Sequence, residues 1–198
     1  KCILDSWLMT GQKKTFTTKQ QIRYTLKGQT DNIKLDGKIS IALSADRAYD
    51  MWLTKSEAPQ VYFNRSETAT SCEVEMTVDT DDYAPCQNGI LIECVDGGYY
   101  LIGVCGKINF EILAPHCKEQ YLIHRSYVGN LEKYKIRVVK LAEEQISVSL
   151  FIDESWTEVA VFKITSAVKQ FGVYSRSWEQ CECRAEFKQV VFEKKIEE

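Results

Sequence analysis

The chain has 198 residues, 44% hydrophobic and 11% aromatic, and its 25 Lys and Arg against 28 Asp and Glu give a formal charge of −3. With Lys and Glu interspersed, this balance argues against nucleic acid or an anionic membrane surface as a partner. No apolar run approaches the roughly 20 residues of a membrane-spanning helix, and the length suffices for one large β domain.

Residues 1–35 are polar and irregular ("GQKKTFTTKQQ") and are predicted to supply an edge strand or wrapping arm to a single domain filling 1–198. The start at Lys1, with no signal-like apolar stretch behind it, suggests a module of a longer protein, a processed chain or a trimmed one. Next comes "AYDMWLTKSEAPQVYF", residues 48–63, which concentrates Trp52, Pro59, Tyr62 and Phe63. It has room for one short turn before Pro59. Tyr62 and Phe63 then open a strand with opposite parity, so one of them must face away from the core.

In "SCEVEMTVDT", Cys72, Val74, Met76 and Val78 alternate with Glu73, Glu75 and Thr77. The same period of two recurs in "KYKIRVVKL" and "QISVSLFID". Turn signals stand between the runs: Asp36-Gly37, Asn88-Gly89, Asp96-Gly97-Gly98, Gly106 and Gly129-Asn130. Roughly a dozen strands without helical periodicity predict two packed antiparallel sheets of six or seven strands each, or a barrel. Of the eight cysteines, Cys72, Cys94 and Cys105 fall in alternating runs, as expected of reduced, mostly buried thiols. Free thiols would favour a cytoplasmic setting.

Taken in order, "AYDMWLTKSEAPQVYF", "CEVEMTVDT", "QNGILIECVDGGYYLIGV", "YKIRVVKLAEEQISVSLFIDESWTEVAVFKI" and "KQFGVYSRSWEQCECRAEFKQVVFE" resemble one known pattern. It belongs to the concanavalin A-like sandwich modules at the C-terminus of family 43 β-xylosidases and to related stand-alone domains. The resemblance covers about residues 48–194. It implies an all-β, two-sheet antiparallel jelly-roll sandwich, a loose link to carbohydrate and a neighbouring domain in a longer chain. One departure is "DESW", Asp153 to Trp156, where the pattern has an aspartate-glycine turn.

Sandwiches of this class offer a concave sheet face, and parity selects residues to line it. In "FGVYSRSW", Tyr174, Arg176 and Trp178 share one side, with rings to stack on a sugar and a guanidinium to hold hydroxyls or a carboxylate. Tyr99 and one of Tyr62 and Phe63 add aromatic surface, whereas Trp52 is read as a structural anchor. Glu73 and Glu75 stand two apart on one strand face, roughly 6–7 Å from each other, a spacing open to inverting glycosidases. They do not match the E-x-D-x-x-E arrangement of catalytic sandwiches, so a solvated face is their first reading. Asp79, Asp81 and Asp82 in "VDTDDYAP" are candidates for a structural Ca²⁺. His116 and His124 lack zinc-site spacing, and with no phosphate loop or dinucleotide fingerprint no cofactor is expected. The expected function is a carbohydrate-recognition or accessory module without chemistry of its own, binding an oligo- or polysaccharide. The rivals are a sandwich-type glycoside hydrolase or polysaccharide lyase, and a protein-interaction domain.

Overall fold

The computed structural model describes residues 13–17, 23–52, 55 and 57–195. Its strands are β1 (Lys13–Thr17), β2 (Tyr24–Lys27), β3 (Ile33–Leu35), β4 (Ile39–Leu43), β5 (Gln60–Phe63), β6 (Ser71–Asp79), β7 (Cys86–Cys94) and β8 (Tyr99–Cys105). They continue as β9 (Asn109–Leu113), β10 (Leu122–Tyr127), β11 (Tyr134–Ala142), β12 (Gln145–Ile152), β13 (Ser155–Lys163), β14 (Val168–Ser177) and β15 (Cys183–Lys195). Among the described residues the only helical pieces are two short 3₁₀ turns, Thr30–Asn32 and Ser66–Thr68.

The strands form two antiparallel sheets. One has eight strands, in the order β13-β12-β11-β6-β15-β4-β3, with β1 pairing on β15 as well. The other has seven, in the order β10-β9-β8-β7-β14-β5-β2. β15 serves two neighbours along one edge, with Cys183–Phe187 on β4 and Val191–Lys195 on β1. The short strands β2 and β3 end the two sheets. Residues 1–12 and 18–22 of the 1–35 arm lie outside the described residues.

Alternation explains the core. Cys72, Val74 and Met76 of β6 and Tyr134, Ile136 and Val138 of β11 point into the space between the sheets, where they meet Ile90, Ile92, Ile102, Phe110, Phe171 and Val173. Antiparallel sheets with one solvated face read as alternating sequences. β7 and β8 instead bury every residue, because both of their faces are covered. Their outward residues Leu91, Tyr99 and Leu101 join a second, smaller apolar cluster with Met51, Ala58, Tyr62, Leu113 and Tyr174.

One sequence reading changes, and one departure from the pattern is accounted for. Asn88-Gly89 is no turn but lies in the middle of β7, opposite Val104 and Gly103 of β8. A Cβ on Gly89 would stand 2.0 Å from the Ile102 carbonyl oxygen, so only glycine permits this approach. The "DESW" segment does make the hairpin turn between β12 and β13, with Ile152 paired to Ser155. Its central residues Asp153 and Glu154 take φ of 50° and 62°, as a two-residue type I′ turn demands even without glycine.

Candidate functional site

The outer face of the seven-stranded sheet is half covered and half open. The cover is a strap that begins at Tyr49, which bridges to Ser177 at the end of β14. The Ser177 N–H donates to the Tyr49 carbonyl at 2.9 Å, and the Tyr49 N–H donates to Ser177 Oγ at 3.0 Å. The strap then lays Met51 and Ala58 onto the sheet, and Pro59 accepts from the Ser175 N–H at 3.3 Å. Beneath it the Tyr99 hydroxyl donates to the Met51 carbonyl, and the Tyr62 hydroxyl donates to Gln60 Oε1 at 2.6 Å. Gly28, at φ 73°, passes so close to the Ala58 carbonyl that a side chain there would displace the strap.

Tyr62, Tyr99 and Tyr174 therefore occupy the face that parity assigns them, but they are buried under the strap and present no ring to solvent. Phe63 points the other way, into the core between the sheets. Burial pushes the Tyr99 hydroxyl up to about 12 and raises those of Tyr62 and Tyr174 as well. Among the described residues the Tyr174 hydroxyl has no hydrogen-bond partner.

The open half is a groove of about 370 Å³ that runs across the strands from β14 to β10. Trp178 and Arg176 stand at one end, Glu111 on β9 in the middle and Arg125 on β10 at the other. Trp52, Tyr83 and Tyr121 form its walls. Arg176 is the most firmly held of these. Its Nε donates to Gln87 Oε1 at 3.0 Å, and Nη1 lies 3.6 Å from Asp50 Oδ1. Its guanidinium carbon sits 5.0 Å from the Trp178 ring and 5.7 Å from the Trp52 ring, between two indoles. Asp50 Oδ1 also accepts from the Trp52 N–H at 2.9 Å, which ties the strap to the arginine. Arg125 Nε donates to Glu111 Oε1 at 2.6 Å. Trp52 and Tyr121 meet edge to face at 5.2 Å, and beyond them a second compartment of about 410 Å³ opens between Pro115 and Lys118.

Of the predicted stripe, Arg176 and Trp178 reach the groove and Tyr174 does not. Trp52, read as an anchor, lines it. The sequence reading overlooked Tyr83, Glu111, Tyr121 and Arg125. For Glu111 and Arg125 a signal existed: outward parity on β9 and β10, where the two residues are directly paired.

Glu73 and Glu75 lie on the other sheet, away from the groove. Glu73 pairs with Arg137 at 3.0 Å, and Glu75 with Lys133 and Lys135 at 3.6 and 3.7 Å. Arg137 also stacks over Trp156 at 3.8 Å. Asp79, Asp81 and Asp82 do not converge: Asp82 accepts from Asn130 Nδ2 at 2.9 Å, and Asp79 lies opposite Arg184 in the β6–β15 ladder. Among the described residues no three His, Cys, Asp or Glu side chains are grouped to hold a metal ion. The seven described cysteines are free. Cys181 borders a third recess of about 760 Å³, and its thiol is pushed up to about 12 by burial and by contact with Cys86. His116 is held by Tyr99 backbone and Thr165.

No family model and no curated protein matches this chain. Solved structures do. The GH43 protein BlXynB from Bacillus licheniformis is 8% identical with a TM-score of 0.67, over 85% of this chain and 36% of its own. A legume lectin-like domain from Entamoeba histolytica is 9% identical with a TM-score of 0.60, over 88% of this chain and 90% of its own. The exoplasmic/lumenal domain of VIP36, in a Ca²⁺- and Man3GlcNAc-bound form, is 6% identical with a TM-score of 0.60, over 88% and 85%. The chain spans about a third of the length of the GH43 protein. At these identities the likeness concerns architecture. The chain has the concanavalin A-like fold, a two-sheet antiparallel sandwich shared with lectin-like domains and with proteins of glycoside hydrolase family 43.

Proposed function

We propose that the protein is a carbohydrate-recognition or accessory module that binds an oligosaccharide in the groove on the outer face of its seven-stranded sheet, without chemistry of its own. The observation that carries this reading is where the exposed rings gather. Tyr83 (82% exposed), Tyr121 and Trp178 (43%) line the same groove as one buried guanidinium, Arg176. Exposed apolar surface concentrated around a few fixed polar groups is characteristic of binding sites. Rings supply the flat apolar surface that the C–H face of a pyranose needs, and Arg176, held by Gln87, supplies donors in a fixed geometry. The fold shared with a lectin-like domain and with a Man3GlcNAc-bound domain supports the same reading.

The test is a titration of tryptophan fluorescence with Man3GlcNAc and with xylotriose. Saturable change that disappears in Trp178→Ala is the expected result. No saturation with any neutral or acidic oligosaccharide at millimolar concentration would refute the proposal and leave the face to a protein partner.

A further inference from the structure

The charges in the groove say more about its occupant. Arg176 is already faced by Asp50 at 3.6 Å, and Arg125 by Glu111 at 2.6 Å. The two cations of the groove, one at each end, are therefore each matched by a neighbouring carboxylate, which weakens the pull on a further anion. A carboxylate or sulfate set against Arg176 would have to compete with Asp50, and would leave that carboxylate without its cation. A hydroxyl has no such conflict, because it accepts from the guanidinium and donates to Asp50 or Glu111 in the same position.

The shape sets the length. From Arg176 on β14 to Arg125 on β10 the groove crosses β7, β8 and β9. Four spacings of about 4.8 Å make roughly 19 Å, longer than one pyranose ring. Past the Trp52–Tyr121 pair the second compartment continues the surface, with the exposed Lys118 at its far side. Trp52 and Tyr121 thus stand between two seats rather than at the end of one.

Resting on the carbohydrate reading above, we infer that the ligand is an uncharged oligosaccharide of at least two sugar units, with the unit beside Arg176 and Trp178 bearing no carboxylate or sulfate.

Isothermal titration calorimetry on the protein with xylotriose, trigalacturonic acid and free xylose tests this. Xylotriose is expected to bind at least tenfold more tightly than either of the others, with an affinity that high salt leaves unchanged. Asp50→Asn keeps the oxygen that accepts from Trp52 but removes the counter-charge of Arg176. It should raise trigalacturonate affinity about tenfold relative to that for xylotriose. Glu111→Gln should shift the same preference at the Arg125 end, and so serves if the first variant folds poorly. Wild-type preference for trigalacturonate, or variants that leave the ratio unmoved, would overturn the charge argument while the carbohydrate reading stands. Xylose binding as tightly as xylotriose would overturn the length. If no neutral or acidic oligosaccharide binds, the reading beneath the inference fails with it.

Discussion

Arg176 Nε donates to Gln87 Oε1 at 3.0 Å, and the two residues face each other directly across β14 and β7. Gln87 in turn donates to the Glu111 carbonyl at 3.2 Å, so a buried amide links the arginine to the next wall of the groove. The guanidinium is thereby held before any ligand arrives, by a buried side chain that is itself hydrogen-bonded. Arg176→Ala would leave Gln87 Oε1 without its donor and Asp50 without its counter-charge, at a cost of about 1–3 kcal/mol in stability. It should lower oligosaccharide affinity at least tenfold. Arg176→Lys keeps the charge but not the fork, and should lose most of that affinity as well. Denaturant unfolding and calorimetry on the same two variants check both statements.

Trp178 and Trp52 border one groove but differ in what lies behind them. Trp178 is exposed, whereas Trp52 is half-buried against the cluster of Met51, Tyr62 and Tyr99. Trp178→Ala should therefore remove binding with a stability change of at most about 1 kcal/mol, whereas Trp52→Ala should lose both binding and about 2 kcal/mol or more. Thermal melts of the two variants side by side would show the difference, and equal melting temperatures would count against the strap being held as described.

The fold was legible because its signal is local. Cys72, Val74 and Met76 against Glu73 and Glu75 state which side of β6 is covered, and the structure follows that alternation. The site was legible only in part, because parity assigns a face but not what lies on it. Tyr62, Tyr99 and Tyr174 sit on the predicted face, yet a strap from residues more than a hundred positions away in sequence from Tyr174 covers them. Nothing in "FGVYSRSW" encodes that cover. Gly89 misled for a related reason. An Asn-Gly pair usually marks a turn, but here the missing Cβ serves close approach to Ile102 within a ladder. Tyr83 and Tyr121 stand outside the strands, in loops where no period operates.

The turn between β12 and β13 holds a removable strain. Glu154 has a side chain at φ 62°, in a region glycine occupies freely. Glu154→Gly should stabilise the protein by about 1 kcal/mol, a rise of roughly 2–4 °C in melting temperature for a chain of this size. A fall in melting temperature would mean that the Glu154 side chain contributes more than its backbone costs.

Burial of tyrosines makes the fold sensitive to alkali. The hydroxyls of Tyr62, Tyr99 and Tyr174 are all raised by desolvation, Tyr99 to about 12, and the thiols of Cys94 and Cys181 are also pushed up to about 12. In the unfolded chain thiols release protons near 8.5 and tyrosines near 10. Between those values and the raised ones the folded state binds more protons, so stability falls as pH rises. The contribution is fully present below about pH 8.5 and is lost progressively toward pH 12. Melting temperature followed from pH 8 upward should decline steadily, and part of the tyrosinate absorbance should appear only as near-ultraviolet circular dichroism is lost. Complete tyrosinate formation near pH 10 with the dichroism intact would contradict the burial.

The most direct test of the central claim follows the indole N–H resonances of ¹⁵N-labelled protein during titration with xylotriose. Trp52 and Trp178 flank Arg176, whereas Trp156 lies on the other sheet beneath Arg137. A ligand in the groove must shift the first two signals, together with the Arg176 Nε–H, and leave Trp156 in place. Movement of Trp156 with Trp52 and Trp178 unchanged would put the ligand on the wrong sheet and end the account.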